Sequence, residues 1–300
     1  MTSVPDKMLQ DPTDLFAKNY NRSSFMFAHG LAGNPVFELP SLVALSRRLP
    51  SSPDFVYWSN GPVRIDDRWE AGSRAAQSLQ ETLENIRDNN SLVIMKHVEE
   101  DPVFAPILKP LLAQVIELAG ADMREDVIVG EVLILVSSPK RLTAYHIDAE
   151  VNYLIQLTGD KIAHVFPPND PEIVTDVELE QFHAGDFNSA AYRPASQDRA
   201  TTYDLRAGYG IHIPTHAPHW VQNGDGISVA LSVNYELRSV ARQAKLLGIN
   251  RWLRRRGLAP RRPGISVMGD QIKLSLAQAA SVAKRLVRAR PPAWQDFITQ

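Results

Sequence analysis

Two histidines and an aspartate carry the most specific chemistry in this chain: His146 and Asp148, two positions apart, and His219 far downstream. Side chains alternate between the faces of a strand, so His-x-Asp on a strand sends both groups to one side. A histidine from a facing strand completes a set of two imidazoles and one carboxylate. That set grips one face of a ferrous ion and leaves the other positions open for a co-substrate and dioxygen, the ligand pattern of non-haem iron oxygenases. His-x-Asp alone is common by chance, and other histidines compete for the third position. His216 precedes His219 by three residues and His212 lies just before Pro214, so both can face the same site. His164 and His183 have no partner at a useful spacing and read as packing or surface residues.

The elements that must hold these groups are short apolar runs marked off by turn residues. Residues 132–136, 143–157, 161–166, 202–205, 210–214, 219–222 and 227–235 read as strands, which indicates a double-stranded jelly roll. In 143–157, Tyr153 alternates away from Asn152 into packing, while Gln156 shares the side of Asn152 and is a candidate for the pocket lining. Trp220, beside His219, reads as barrel packing. Residues 167–201 are broken by proline and aspartate and show little regular pattern, as expected of a lid or insertion over the barrel mouth. Upstream, 40–45, 74–89 and 102–119 have helical character and 55–58 and 91–96 read as strands. Downstream, helices are expected at 242–257 and 275–290, separated by a break at 260–264. The expected organisation is a mixed α/β region over 1–127 packing on the barrel, a jelly-roll core over 128–240, and a helical tail over 241–300. The fold class is mainly β with flanking helices.

Bulk composition narrows the chemistry. The 300 residues are 44% hydrophobic and 22% charged, as in an ordinary globular protein. The absence of cysteine excludes disulfides, zinc-thiolate sites, iron-sulfur clusters and cysteine nucleophiles. The N-terminus lacks the basic and apolar regions of a signal peptide, and no run approaches the ~18 apolar residues of a membrane span, so a cytoplasmic location without membrane contact is expected. From Arg238 onward there are 14 Lys/Arg against two acids, Asp270 and Asp296, so the body holds 18 of the 32 bases and 32 of the 34 acids. Such asymmetry can mark a nucleic-acid contact. The spaced apolar residues of the tail favour instead a basic helical element lying on an acidic body, its own or a twin subunit's.

Further residues extend the triad. Thr143 stands three before His146, Asn152 four after Asp148, and Lys161, in Gly159-Asp160-Lys161, fifteen after His146. Pro214 stands five before His219 and Asn234 fifteen after it. Alone, Lys161 reads as an exposed strand-end lysine, and the threonine and asparagines as ordinary strand and turn residues. Together they resemble the JmjC family of Fe(II)- and 2-oxoglutarate-dependent oxygenases in the cupin superfamily, and within it the asparaginyl-hydroxylase branch and bacterial cupin-like JmjC proteins. The likeness covers about residues 128–236. It implies a double-stranded β-helix and iron held by His146, Asp148 and His219, with the position relative to Pro214 favouring His219 over His216. It implies that Lys161 and Thr143 hold the far carboxylate of 2-oxoglutarate, and that Asn152 and Asn234 orient the groups at the metal. The implied reaction is hydroxylation of a C–H bond with release of succinate and CO2, on a protein or peptide side chain, or alternatively on a small molecule. A homodimer through the C-terminal helices is also implied. Nucleic acid is not expected as a partner. The reading from another class is a non-catalytic cupin-like binding protein that uses the basic tail for nucleic acid.

Overall fold

The computed structural model describes residues 7–68 and 77–288, with side chains to residue 279. In chain order the strands are β1 (Leu9–Gln10), β2 (Phe25–His29), β3 (Val56–Ser59), β4 (Leu92–Met95), β5 (Val127–Ser137) and β6 (Leu142–His146). They continue as β7 (Val151–Thr158), β8 (Asp160–Val165), β9 (Thr201–Arg206), β10 (Tyr209–Ile213), β11 (His219–Asn223) and β12 (Ser228–Leu237). The helices before the barrel are α1 (Leu15–Asn19), α2 (Leu39–Ser46), α3 (Leu79–Glu84), α4 (Ala105–Ala119) and α5 (Ala121–Asp126). An insertion helix α6 (Asp176–Phe182) precedes β9, and α7 (Arg238–Arg254) and α8 (Val267–Arg288) follow the last strand.

The strands form two antiparallel sheets. The large one runs β1-β2-β10-β7-β12-β5-β4-β3 and the small one β6-β11-β8-β9. Period-two alternation divides the work of each large-sheet strand. In β5, Val132, Ile134 and Val136 are wholly buried on the face covered by the N-terminal helices, whereas Glu131, Leu133, Leu135 and Ser137 line the space between the sheets. In β7, Tyr153 turns to the helix side and stacks on Phe16, with ring centroids 5.4 Å apart, while Asn152 and Leu154 turn inward. Helix α4 supplies much of the outer cover through Ile107, Leu108, Leu111 and Val115, and Gly120, with φ 87°, ends it. The first four strands join the large sheet at both its ends, so the region before the jelly roll extends the same platform.

Four features differ from the sequence expectation. Residues 143–157 are two strands, not one: β6 belongs to the small sheet and β7 to the large. β7 is buried almost throughout and β6 only at Ala144 and Tyr145, and the four residues 147–150 that join them carry no glycine or proline to mark the crossing. Residues 167–200 contain helix α6 and a 3-10 turn at Pro194–Arg199. The start of α6 is a capping box in which Thr175 and Glu178 bond reciprocally, a signal present in the sequence as Thr-x-x-Glu but easily lost before a seven-residue helix. Helix α8 begins at Val267, well before 275. Of the helix expected over 74–89, residues 74–76 lie outside the described residues, and α3 occupies Leu79–Glu84.

The basic tail does lie on acidic surface of its own chain. Arg254 on α7 donates from Nε and Nη2 to Glu180 on α6, and Arg262 pairs with Asp176. Glu180 is buried, so loss of Arg254 would leave an uncompensated carboxylate there.

Gly159 tests how tightly the turn after β7 is specified. Its φ is +73°, and an added Cβ would fall 2.5 Å from the Ile227 carbonyl oxygen. We expect Gly159→Ala to cost about 2–4 kcal/mol, combining left-handed strain with the clash. Urea unfolding measures it, and an unchanged midpoint would contradict the account of this turn.

Candidate metal and co-substrate site

The small sheet brings the triad together through its register. β6 and β11 are antiparallel and His146 is the direct partner of His219. Directly opposed residues have Cβ atoms about 5 Å apart, and the two imidazole centroids lie 4.1 Å apart. Asp148 follows β6 by two residues and its Oδ2 lies 3.7 Å from His146 Nε2 and 3.6 Å from His219 Nε2. One donor atom from each of the three falls within 4.8 Å of the others.

Each ring is held in the tautomer a metal needs. His146 Nδ1 lies 2.8 Å from the Ala144 carbonyl oxygen and His219 Nδ1 lies 3.0 Å from that of Ala217. A carbonyl only accepts, so each Nδ1 carries the hydrogen and each Nε2 presents its lone pair inward. Burial, reinforced by the neighbouring His146, pushes His219 down to about 4 despite the opposing effect of Asp148, which keeps it neutral. Two imidazoles and one carboxylate around a common point fit a divalent first-row metal.

The seven expected metal and co-substrate residues line one cavity of about 280 Å³: Thr143, His146, Asp148, Asn152, Lys161, His219 and Asn234. Asn152 and Asn234 are direct cross-strand partners on β7 and β12, and Glu131 of β5 continues their row. The Asn152 amide donates to Asn234 Oδ1 and Ser232 Oγ, while its own Oδ1 is buried with no partner among the described residues. Lys161 enters from β8 and is only 5% exposed. Among the described residues no acid pairs with it, and burial alone pushes its ammonium down to about 8. A buried cation without a counter-charge is costly, and an anion's carboxylate in the cavity would offset that cost. The residues present therefore fit a metal and an acidic co-substrate together.

The remaining histidines are settled by their bonds. His212 is fully buried away from the cavity, accepting from the Asn21 N–H at Nε2 and donating from Nδ1 to the Asn152 carbonyl. His216 is turned away from the triad toward His183, so His183 is not the unpartnered residue its sequence spacing suggests. His164 stacks on Trp220 with centroids 4.0 Å apart, which is packing. Gln156 does not line the cavity; its amide donates to the Thr158 carbonyl and Ser228 Oγ. Sequence reasoning missed the contribution of β4, the residue after it, and β5: Ile94, Lys96, Glu131, Leu133 and Leu135 all line the cavity. No spacing relative to the triad marks them, because only sheet order brings them there. Glu150 also lines it, with burial and then the charge of Asp148 raising its carboxyl.

No family model and no curated protein matches the sequence. Solved structures do match. The crystal structure of Escherichia coli ribosomal oxygenase YcfD aligns with 92% of this chain and 68% of its own, at TM-score 0.50 and 13% identity. The fold is shared. An X-ray structure of E. coli YcfD aligns with 92% of this chain and 69% of its own at TM-score 0.51 and 13% identity. That of the YcfD complex with cobalt and 2-oxoglutarate aligns at TM-score 0.50 and 13% identity, over 92% of this chain and 68% of its own.

Lys161 gives a prediction of opposite sign for stability and binding. Its folded-state pKa lies below its unfolded value, so the unfolded chain binds more protons between about pH 8 and 10, and apo-protein stability rises with pH across that window. Lys161→Met should raise the apo thermal midpoint, by roughly 2–6 °C for a gain of about 1–2 kcal/mol, and should abolish dicarboxylate binding. Calorimetry of both proteins at pH 7 checks this, and a lower midpoint in the variant would contradict it.

Proposed function

We propose that the chain is an Fe(II)- and 2-oxoglutarate-dependent oxygenase that hydroxylates a C–H bond of a protein or peptide side chain, releasing succinate and CO2. The observation that carries this reading is the conjunction of triad and lysine in one cavity. A metal-binding scaffold requires three ligands, but it does not require a buried ammonium that no acid among the described residues pairs, in the same cavity. The cobalt and 2-oxoglutarate complex of the structurally similar ribosomal oxygenase YcfD supports the same co-substrate, and that enzyme's description supports a protein substrate.

When bound, ferrous iron with 2-oxoglutarate and dioxygen supplies the oxidising power for the reaction. The chain's own residues do the rest. His146, Asp148 and His219, whose donor atoms converge at the cavity, would hold the metal. Lys161, with the Thr143 hydroxyl, would take the far carboxylate of the co-substrate and so orient it. Asn152 and Asn234, tied to each other across β7 and β12, orient polar groups beside the metal. Ile94, Leu133 and Leu135 provide an apolar wall that excludes water from the reacting groups.

The assembly we propose is a homodimer through the C-terminal helices. Met268, Ile272 and Leu276 on α8 are all more than half exposed and repeat every four residues, forming an apolar stripe. No helix among the described residues is long and apolar enough to cross a membrane, and we propose a cytoplasmic location.

Purified protein supplied with Fe(II), 2-oxoglutarate and air should form succinate slowly without added substrate. Asp148→Ala should lower that rate at least about a hundredfold. Equal succinate from both proteins would contradict the assignment. Light scattering should give a dimer mass for the wild type and a monomer mass for Met268→Glu/Ile272→Glu; a monomeric wild type at micromolar concentration would count against the dimer.

A further inference from the structure

The insertion helix and the metal loop touch through two histidines. His183, the residue that ends α6, meets His216 Nε2 to Nε2 at 2.8 Å, with the rings nearly perpendicular at 88°. One nitrogen donates and the other accepts. His216 belongs to the short 214–218 link between β10 and β11, bounded by Pro214 and Pro218.

That link is the backbone support of two of the three candidate ligands. His216 has φ +59°, a left-handed conformation that a side chain bearing Cβ adopts only at a cost. The twist turns its N–H onto the Asp148 carbonyl oxygen at 2.9 Å. The next carbonyl, that of Ala217, accepts from His219 Nδ1 at 3.0 Å. A relaxed backbone at His216 would disturb both contacts together. The side chain of His216 is buried, and its one side-chain hydrogen bond among the described residues is to His183.

His183 is itself held from behind. Helix α6 is fastened to the tail by Arg254 on Glu180 and by Arg262 on Asp176. A continuous set of contacts therefore runs from the basic tail through the insertion helix to the metal loop.

We propose that His183 is a positioning residue: by bonding His216 it holds the 214–218 link in its strained form and so sets Asp148 and His219 for metal binding. The proposal rests on the reading of the triad as a metal site. Groups beside a ligand, not touching the metal, commonly alter affinity by 10- to 100-fold.

The test is Co(II) binding to the full chain, followed by calorimetry and by the visible spectrum of the bound cobalt. His183→Ala should weaken Co(II) binding by about tenfold and change the cobalt spectrum, with an apo thermal midpoint close to that of the wild type. His183→Gln, whose amide can still donate to His216 Nε2, should return affinity to within about threefold of wild type. Wild-type affinity and spectrum in His183→Ala would overturn the proposal. Equal weakening in both variants with lowered midpoints would also overturn it, because the residue would then be merely structural. A wild-type chain that binds no Co(II) would remove the metal reading and this proposal with it, a result distinct from the other two.

Discussion

The site depends on the register between β6 and β11. Direct opposition of His146 and His219 puts two imidazoles on one side of the small sheet, and Asp148 reaches them from the turn that follows β6. A slip of one residue would send a histidine to the opposite face, because side chains alternate with period two. The register is held from both sides. β11 also pairs with β8, where Trp220 lies opposite His164, and their rings stack. Asn223 fixes the far end by donating from its side chain to the Ser138 carbonyl.

The two sheets then divide the chemistry. The small sheet brings the triad and Lys161, and the large sheet brings Asn152, Asn234 and the apolar wall of β4 and β5. The large sheet can do this because its other face is buried under the N-terminal helices and carries the main core. A single alternating pattern thus serves stability outward and chemistry inward. Lys161 is where the two demands conflict, since a buried ammonium with no acidic partner among the described residues works against the folded state.

Much of this was legible in the sequence, for identifiable reasons. Strands β7 and β12 carry their alternation plainly, whereas β8 hides it by burying Lys161 and exposing Ile162, and the seven site residues are marked by type and spacing. The same spacing sets His219 apart from His216, three positions earlier. What the sequence hid was tertiary. The switch between sheets inside 143–157 has no glycine or proline to mark it, because the chain crosses through Ile147-Asp148-Ala149-Glu150. The wall from β4 and β5 is distant in sequence and enters only through sheet order. His183 gains its partner from a separate loop, so neighbours in sequence could not reveal it.

The central claim is that Lys161 waits, buried and partly deprotonated at alkaline pH, for a carboxylate brought in beside the metal. The most direct measurement is calorimetry of 2-oxoglutarate binding to the Mn(II)-loaded protein at pH 8.5, in two buffers of different ionisation enthalpy. The account predicts uptake of between roughly a half and one proton per 2-oxoglutarate bound, because the arriving carboxylate restores the charge on an ammonium whose free pKa is about 8. Binding with no proton uptake, or no binding at all, would contradict it.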